Sequence, residues 1–209
     1  MTLQSYLLFV AASFVLAITP GPDMLYLLGR SVAQGKRAGV IAVLGINLGA
    51  CIHLTAAVTG LSAILATSAV AFSVVKLIGA AYLIYLGVRT LLSPRRGPVA
   101  DHAGRNGTSM KAVFWQGVLS NALNPKVALF FLALLPQFIQ PNSGSPTLQL
   151  LGLGLTVNII GLVVCLTLVA LSTTVTTRLR RSSSVAAWLQ KALGVMFVGL
   201  GLKLATEHR

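Results

Sequence analysis

Two charged side chains lie inside long apolar runs of the sequence, each just after a proline-containing interruption. Asp23 follows the stretch TPGP at 19–22, and Lys126 follows the Asn-Pro pair at 124–125. A charge at the centre of a bilayer costs about 2.5 to 3.5 kcal/mol on insertion scales, so such a residue normally faces a cavity and a partner. The two side chains are therefore candidates to pair with each other or to hold the opposite charges of a bound solute. The plainer alternative is that Asp23 caps its own half-helix while Lys126 extends along its stem to the membrane surface.

Three prolines make the interruptions: Pro20, Pro22 and Pro125. Each lacks a backbone N–H and crowds the carbonyl four residues earlier, which loses its helical partner. The carbonyls affected are those of Leu16, Ile18 and Asn121. Unpaired backbone groups cost several kcal/mol each in lipid, so a chain tolerates them only where they line a cavity enclosed by protein or filled with water.

Thr19 and Asn124 stand directly before Pro20 and Pro125. Each is predicted to be the N-cap of a new half-helix that has proline at its first position. Each half-helix would present the positive end of its dipole near the membrane interior, where it can bind an anionic group. A single proline in a transmembrane helix more often only kinks it for packing. Two capped breaks at corresponding places favour a binding site instead.

The composition predicts an all-α integral membrane protein. Hydrophobic residues make up 56% of the 209 positions, charged residues 9%, and the mean hydropathy is +0.86, which an ordinary soluble domain does not show. A transmembrane helix needs about 20 mostly apolar residues. Six runs are long enough: 3–32, 38–66, 69–92, 113–139, 148–175 and 185–205. Helices 1 and 4 of these six carry the breaks, at Thr19-Pro20-Gly21-Pro22 and Asn124-Pro125.

The basic residues indicate topology. A net charge of +13 could suggest nucleic-acid binding, but that function needs a basic face on a folded aqueous domain, and six spans leave none. Ten basic residues fall in the first, third and fifth connections: Arg30, Lys36, Arg37, Arg95, Arg96, Arg105, Lys111, Arg178, Arg180 and Arg181. Because positive charge stays in the cytoplasm, both termini are predicted to lie outside it and the linker 93–112 inside.

The two halves of the chain share three features in the same order. AITP at 17–20 matches ALNP at 122–125, lone Asn47 matches lone Asn158, and KLIGAAYL from Lys76 matches KALGVMFV from Lys191. With an odd number of helices in each half, the second copy must enter the membrane from the opposite side. The sequence therefore predicts two inverted three-helix repeats, 1–92 and 113–209, joined by the linker 93–112, an arrangement common in secondary transporters.

The amides and glycines inside the spans have two readings each. Asn47 and Asn158 either contact a solute or hydrogen-bond between helices. Gly45 and Gly49 supply small surfaces for close helix contact, which is an unspecific signal.

The remaining reactive side chains are isolated. Cys51, Cys165 and His53 are predicted to serve in packing, and His53 has no acid nearby that would make it a proton relay. Neither of the two other acids, Asp101 and Glu207, lies in a span. No group of side chains has metal-ligand spacing, and no nucleophile and base are grouped. The sequence therefore predicts no metal, no cofactor and no enzyme activity.

Three motifs resemble those of the lysine-exporter-type (LysE/RhtB) translocators: TPGPDMLYLLGRSVAQGKRAG from Thr19, GINLGA from Gly45 and NALNPKVALFF from Asn121. The resemblance extends over the whole chain, with its length and six apolar runs. It implies proton-driven export of amino acids or close derivatives from the bacterial cytoplasm through the plasma membrane. The homoserine and threonine branch is the most similar, because its members often carry an Asp after Pro-Gly-Pro.

Together, the residues and the resemblance predict a site for a zwitterionic amino acid, neutral or basic, between the two breaks. Its carboxylate would meet a half-helix N-terminus and Lys126, its ammonium would meet Asp23, and the spanning amides would line the cavity. The predicted binding residues are Thr19, Gly21, Asp23, Asn47, Asn124, Lys126 and Asn158. Asp23 would alternate between substrate and proton. The alternatives are export of another small solute or ion, and, less favoured, a membrane-embedded enzyme; assembly as a homo-oligomer stays open.

Overall fold

The computed structural model describes residues 3–61, 108–140 and 144–172, together with isolated positions between 74 and 92 and between 191 and 205. The three continuous ranges contain six α-helices and no strand. The helices are α1 Leu3–Ile18, α2 Pro22–Gln34, α3 Lys36–Ala56, α4 Met110–Ala122, α5 Pro125–Leu129 and α6 Pro146–Ala170. The all-α prediction is confirmed for this part of the chain. Apart from those isolated positions, the predicted third and sixth spans and the linker up to residue 107 lie outside the described residues.

These helices give two candidate membrane spans, and four if each bent pair counts as one span. Two are single helices, Lys36–Gly60 and Pro146–Ala170, each of 25 residues. At 1.5 Å per residue, each is longer than the roughly 30 Å of a bilayer core. The other two are bent pairs: α1 with α2 at 50°, and Met110–Ala122 with Pro125–Phe138 at 49°. The two predicted breaks therefore exist, and the chain bends by nearly the same angle at each.

The second break is capped as the sequence predicts. The side-chain oxygen of Asn124 accepts a hydrogen bond from the backbone N–H of Lys126 at 3.0 Å, and Pro125 occupies the first helical position. Asn124 is therefore the N-cap of α5. The N–H that proline lacks is one that a helix start leaves unpaired in any case.

The first break differs from the prediction. The Thr19 hydroxyl donates to the Val15 carbonyl at 2.6 Å, so Thr19 closes the end of α1. The N-cap of α2 is Gly21, which has no side chain to cap the helix, and Pro22 is the first helical residue. The predicted Thr19 cap is wrong because the second proline moves the start of the new helix two residues along the chain.

Beyond their regular helices, α3 and α5 both widen into π-helical turns, Ala57–Leu61 and Phe130–Leu134. Such turns are rare in proteins overall, but those that occur often lie at functional sites. The second one joins a hydrophobic cluster with α1 and the start of α6, in which Phe9, Phe131 and Leu150 are fully buried. A second cluster joins α2, the start of α3 and α4 around Leu27 and Val113. The bundle thus has two apolar cores, one on each side of the breaks.

Helix α4 packs directly on the backbone of α3 through glycines. A Cβ added to Gly117 would lie 2.7 Å from the Ala42 carbonyl oxygen, and one added to Gly49 would lie 2.7 Å from that of Val118. A Cβ added to Gly45 would clash with the Phe114 carbonyl. We call these three glycines the glycine face. The prediction of close helix contact at Gly45 and Gly49 is confirmed.

Candidate functional site

The carboxylate of Asp23 is held by residues on both sides of the second break. Ser120 Oγ donates to its Oδ1 at 2.8 Å. Asn121 Nδ2 and Asn124 Nδ2 donate to its Oδ2 at 2.8 and 2.7 Å. Asp23 lies in the first turn of α2, but none of these bonds goes to its own helix. The alternative in which Asp23 merely caps its half-helix is therefore wrong.

Lys126 closes the first break. Its Nζ donates to the carbonyl oxygens of Leu16 and Thr19, each at 3.0 Å. The Leu16 carbonyl is one that Pro20 deprives of its helical partner, so the ammonium replaces a missing backbone N–H. Gly21 leaves room for it, since a Cβ there would lie 3.2 Å from Nζ. Within the described ranges, no ion pair joins Lys126 to Asp23, because each has taken other partners.

His53 contacts the second break. Its Nε2 lies 2.9 Å from the carbonyl oxygen of Asn121, which also accepts the backbone N–H of Asn124 at 2.8 Å in place of the donor that Pro125 lacks. The imidazole stacks on Phe131, with ring centroids 6.2 Å apart. The predicted packing role is thus incomplete. Sequence spacing carried no signal for this contact, because it joins residues 68 positions apart.

A cavity of about 90 Å³ lies between the two apolar cores. Five of the seven predicted binding residues line it: Thr19, Asp23, Asn47, Lys126 and Asn158. The other two stand just behind it, Asn124 bonded to Asp23 and Gly21 against Lys126. The volume exceeds the roughly 10 to 15 Å³ that one water needs and is far below the roughly 300 to 1,000 Å³ of drug-sized sites. The cavity therefore suits a small solute.

The wall also contains polar residues that the prediction omitted, namely Asn121, Ser13 and Cys165. Asn121 could have been found from its position one helical turn before the break, since spacings of three and four share a helix face. Asn121 Oδ1 and Asn158 Oδ1 are both buried, and neither has a hydrogen-bond partner among the described residues. Asn158 donates only a long contact to Cys51 Sγ, at 3.7 Å.

The helix α2 continues from Asp23 with polar side chains on the face towards α4. Tyr26 Oη donates to the Val113 carbonyl at 2.7 Å, Arg30 Nη2 donates to Gln116 Oε1 at 2.6 Å, and Gln34 Nε2 donates to the Thr108 carbonyl at 3.0 Å. We call Tyr26, Arg30, Gln34 and Gln116 the polar seam. It runs from the cavity to the end of the bundle that carries Lys36.

Arg30 is the unexpected member of the seam. Only 5% of it is exposed, its Nε has no partner among the described residues, and its guanidinium lies 5.5 Å from the centre of the Tyr26 ring. The side-chain acceptors that it contacts in the described ranges, Gln34 and Gln116, are neutral. Arg30 lies within α2, so its assignment to the first connection is wrong. A basic residue near a span end gives no sign of burial.

A metal site has no support in the part of the chain that the structure describes. Those residues contain no group of three or more His, Cys, Asp and Glu side chains that could hold an ion.

Comparison with known proteins finds similarity along almost the whole chain. The family model for the LysE type translocator matches residues 14–208. An uncharacterized membrane protein of Vibrio cholerae is 32% identical over 206 residues, covering 99% of this chain and 98% of the relative. The uncharacterized membrane protein YrhP of Bacillus subtilis is 31% identical over 208 residues, covering 96% and 98%. The uncharacterized membrane protein PA4757 of Pseudomonas aeruginosa is 31% identical over 192 residues, covering 90% and 89%. No solved structure matches the chain.

Proposed function

The chain belongs to the LysE type translocator family, and on that premise we propose that it exports a zwitterionic amino acid across the bacterial plasma membrane in exchange for protons. One observation carries the proposal. A small cavity between two broken spans contains one carboxylate, Asp23, and one ammonium, Lys126. These are the two charges that would complement the ends of a free amino acid.

The carboxylate end of the substrate would bind at Lys126. An ammonium has three N–H donors, and Lys126 spends two on the Leu16 and Thr19 carbonyls, so one stays available. Asn47 lines the same cavity, and its amide can supply a second donor. The start of α2 adds to this end of the site, because no side chain caps it and its first backbone N–H groups carry partial positive charge.

The ammonium end would bind at Asp23. A carboxylate has about four lone-pair sites, and Asp23 uses three of them on Ser120, Asn121 and Asn124. The fourth can accept an N–H from the substrate. In a water-poor cavity such a charge-assisted bond is stronger than in water.

Proton exchange would act through the same carboxylate. A proton would take the fourth lone-pair site and remove the negative charge, which weakens the three remaining hydrogen bonds between α2 and the second broken span and leaves no acceptor for the substrate ammonium. Substrate and proton would then compete for Asp23 while the two broken spans move against each other. Two structural facts support an inverted repeat for this motion. The bends are 50° and 49°, and a backbone carbonyl at each break contacts a side chain from the other half, Lys126 or His53.

The proposal includes six spans, with both termini outside the cytoplasm. It rests on the alternation of basic residues between connections. A single cysteine introduced between positions 97 and 107 should react with an impermeant thiol reagent in inside-out vesicles and not in whole cells. Labelling in whole cells would reverse the assigned orientation.

The transport proposal is tested at Asp23. Asp23→Asn keeps the side-chain shape but removes the negative charge that would bind the ammonium or proton, so we expect export to fall to background. Counterflow in proteoliposomes, with protein amounts matched by immunoblot, measures it. Asp23→Glu, which keeps the charge on a longer stem, is the matched control and should retain partial activity. Near-normal exchange of every amino acid by the Asn variant would refute the mechanism.

A further inference from the structure

The acceptors that line the cavity fit one primary ammonium. Asp23 has one lone-pair site left after its three hydrogen bonds. Asn121 Oδ1 and Asn158 Oδ1 are buried and, among the described residues, have no partner. Asn121 is 3% exposed and Asn158 is 7% exposed, so neither is open to bulk water. The three residues line one cavity, and their three oxygen atoms with unused lone pairs, Oδ1 of each, equal in number the three N–H donors of one –NH₃⁺ group.

The chain has no second carboxylate for a second substrate cation. It contains three acidic residues in all, and the other two, Asp101 and Glu207, lie outside every apolar run. A side-chain ammonium or guanidinium in the cavity would therefore be buried without a counter-charge, which is strongly unfavourable. A side-chain carboxylate would meet the same difficulty, since Lys126 is the single cation among the lining residues that the structure describes.

Much of the remaining lining is apolar. Apolar side chains from three helices face the cavity: Met24, Val43, Ile46, Leu162 and Leu168. At about 10 to 15 Å³ for one water, the volume of about 90 Å³ corresponds to roughly six to nine waters, which is enough for a small amino acid. A substrate side chain that enters this wall must be small and uncharged.

We infer that Asp23, Asn121 and Asn158 form a site for a single primary ammonium, and that the cavity takes small neutral amino acids with aliphatic side chains while it rejects those with a second charge. This inference rests on the proposed export function and narrows it. It also gives a binding role to Asn121, which the sequence motifs did not single out.

The first test is a substrate panel with the purified full-length protein in proteoliposomes. Alanine and valine should exchange. For lysine, arginine and glutamate, kcat/KM should be at least about 100-fold lower than for valine. Lysine exchange within about threefold of valine would overturn the inference and leave the export function standing. Exchange of none of these amino acids, with correctly inserted protein, would overturn both.

The second test adds the missing carboxylate. Leu162→Glu places an acid on the aliphatic wall, and Leu162→Gln is the matched control with the same shape and no charge. Lysine relative to valine should improve about tenfold or more in the Glu variant only. Equal effects of both variants would contradict the carboxylate count. Cys165→Asp against Cys165→Asn repeats the comparison on the same helix should Leu162 variants fail to insert.

The third test addresses the ammonium site itself. Asn158→Leu removes one acceptor at nearly constant volume, and it should raise the KM for valine about tenfold with a smaller change in kcat. Thr156→Leu is the control on the same helix, because Thr156 is half-buried, is not among the residues that line the cavity, and donates to the Gly152 carbonyl of its own helix. An unchanged KM in Asn158→Leu would remove Asn158 from the site.

Discussion

The two faces of α4 are built in opposite ways. Towards α3, the glycine face brings backbone against backbone with no side chain between. Towards α2, the polar seam joins the helices through side-chain hydrogen bonds from Tyr26, Arg30 and Gln34. Separating the glycine face would open a void and lose dispersion contacts that lipid chains replace poorly. Separating the seam exchanges each bond for one with water, at a net cost of only about 0.5 to 1.5 kcal/mol.

The contrast assigns different mechanical roles to the two faces. We therefore expect α3 and α4 to stay together, while α2, which the second apolar cluster also holds against both, shifts relative to α4. Asp23 lies on α2 and takes all three of its hydrogen bonds from α4 and the cap of α5. The carboxylate proposed to exchange substrate for a proton therefore sits across the separable face.

The largest effect on stability is expected at the glycine face. Gly117→Ala forces a methyl group against the Ala42 carbonyl, and overpacking of this kind costs typically about 1 to 3 kcal/mol. Thermal unfolding in detergent should shift down by several degrees. Gly152→Ala is the matched control, since a Cβ at this helical glycine has nothing within 4 Å and alanine favours the helix. Equal unfolding temperatures for the two variants would show that the face is not tightly packed.

A smaller effect on stability, with a distinct kinetic signature, is expected at the seam. Arg30→Met removes a buried charge that has only neutral acceptors, and such replacements are often neutral for stability. The loss of the Gln116 bond should favour opening between α2 and α4, about fivefold for each kcal/mol. The native thiol of Cys165 lines the cavity and can report opening through its rate of reaction with an impermeant reagent in a Cys51→Ser background.

The control for the seam is Arg37→Met, because Arg37 is exposed on the next helix and lies outside the seam. Its labelling rate should equal that of the parent protein, and the Gly117→Ala rate should stay closer to the parent than the Arg30→Met rate. If the Arg30→Met protein unfolds at a temperature several degrees lower but its Cys165 is not labelled faster, the seam is only a structural contact. The proposed difference between the two faces of α4 would then be wrong.

The features predicted correctly from sequence are those set by local chemistry. Proline acts on the carbonyl four residues back whatever the fold, so the breaks and the open carbonyl of Leu16 followed from the sequence. The Asn121 carbonyl was predicted to be open as well, but it accepts the backbone N–H of Asn124. The Asn124 cap is equally local. The prediction of Thr19 as the N-cap was wrong because two prolines could each begin α2. Pro20 and Pro22 both satisfy the rule that places proline at the first helical position, and Pro22 is the one that begins the helix.

The features that sequence could not supply depend on distances between elements. Asp23 and Lys126 look like natural partners by charge, yet neutral amides took the carboxylate and backbone carbonyls took the ammonium. The position of a side chain between packed helices decides which hydrogen-bond partners it finds, and this position cannot be deduced from a single sequence. Arg30 shows the same limit, since its burial comes from α4.

The contact between Lys126 and the first break also sets an order of events during synthesis. The donor and the Leu16 carbonyl are 110 residues apart in the chain. At about 5 to 20 residues per second, ribosomes need roughly 6 to 22 s to add that length. Throughout this interval the carbonyls at the first break lack the Lys126 donor, so water or the insertion machinery must supply their hydrogen bonds. The nascent N-terminal helix therefore cannot settle into its final transmembrane form until the second half of the protein has been translated and has entered the bilayer beside it.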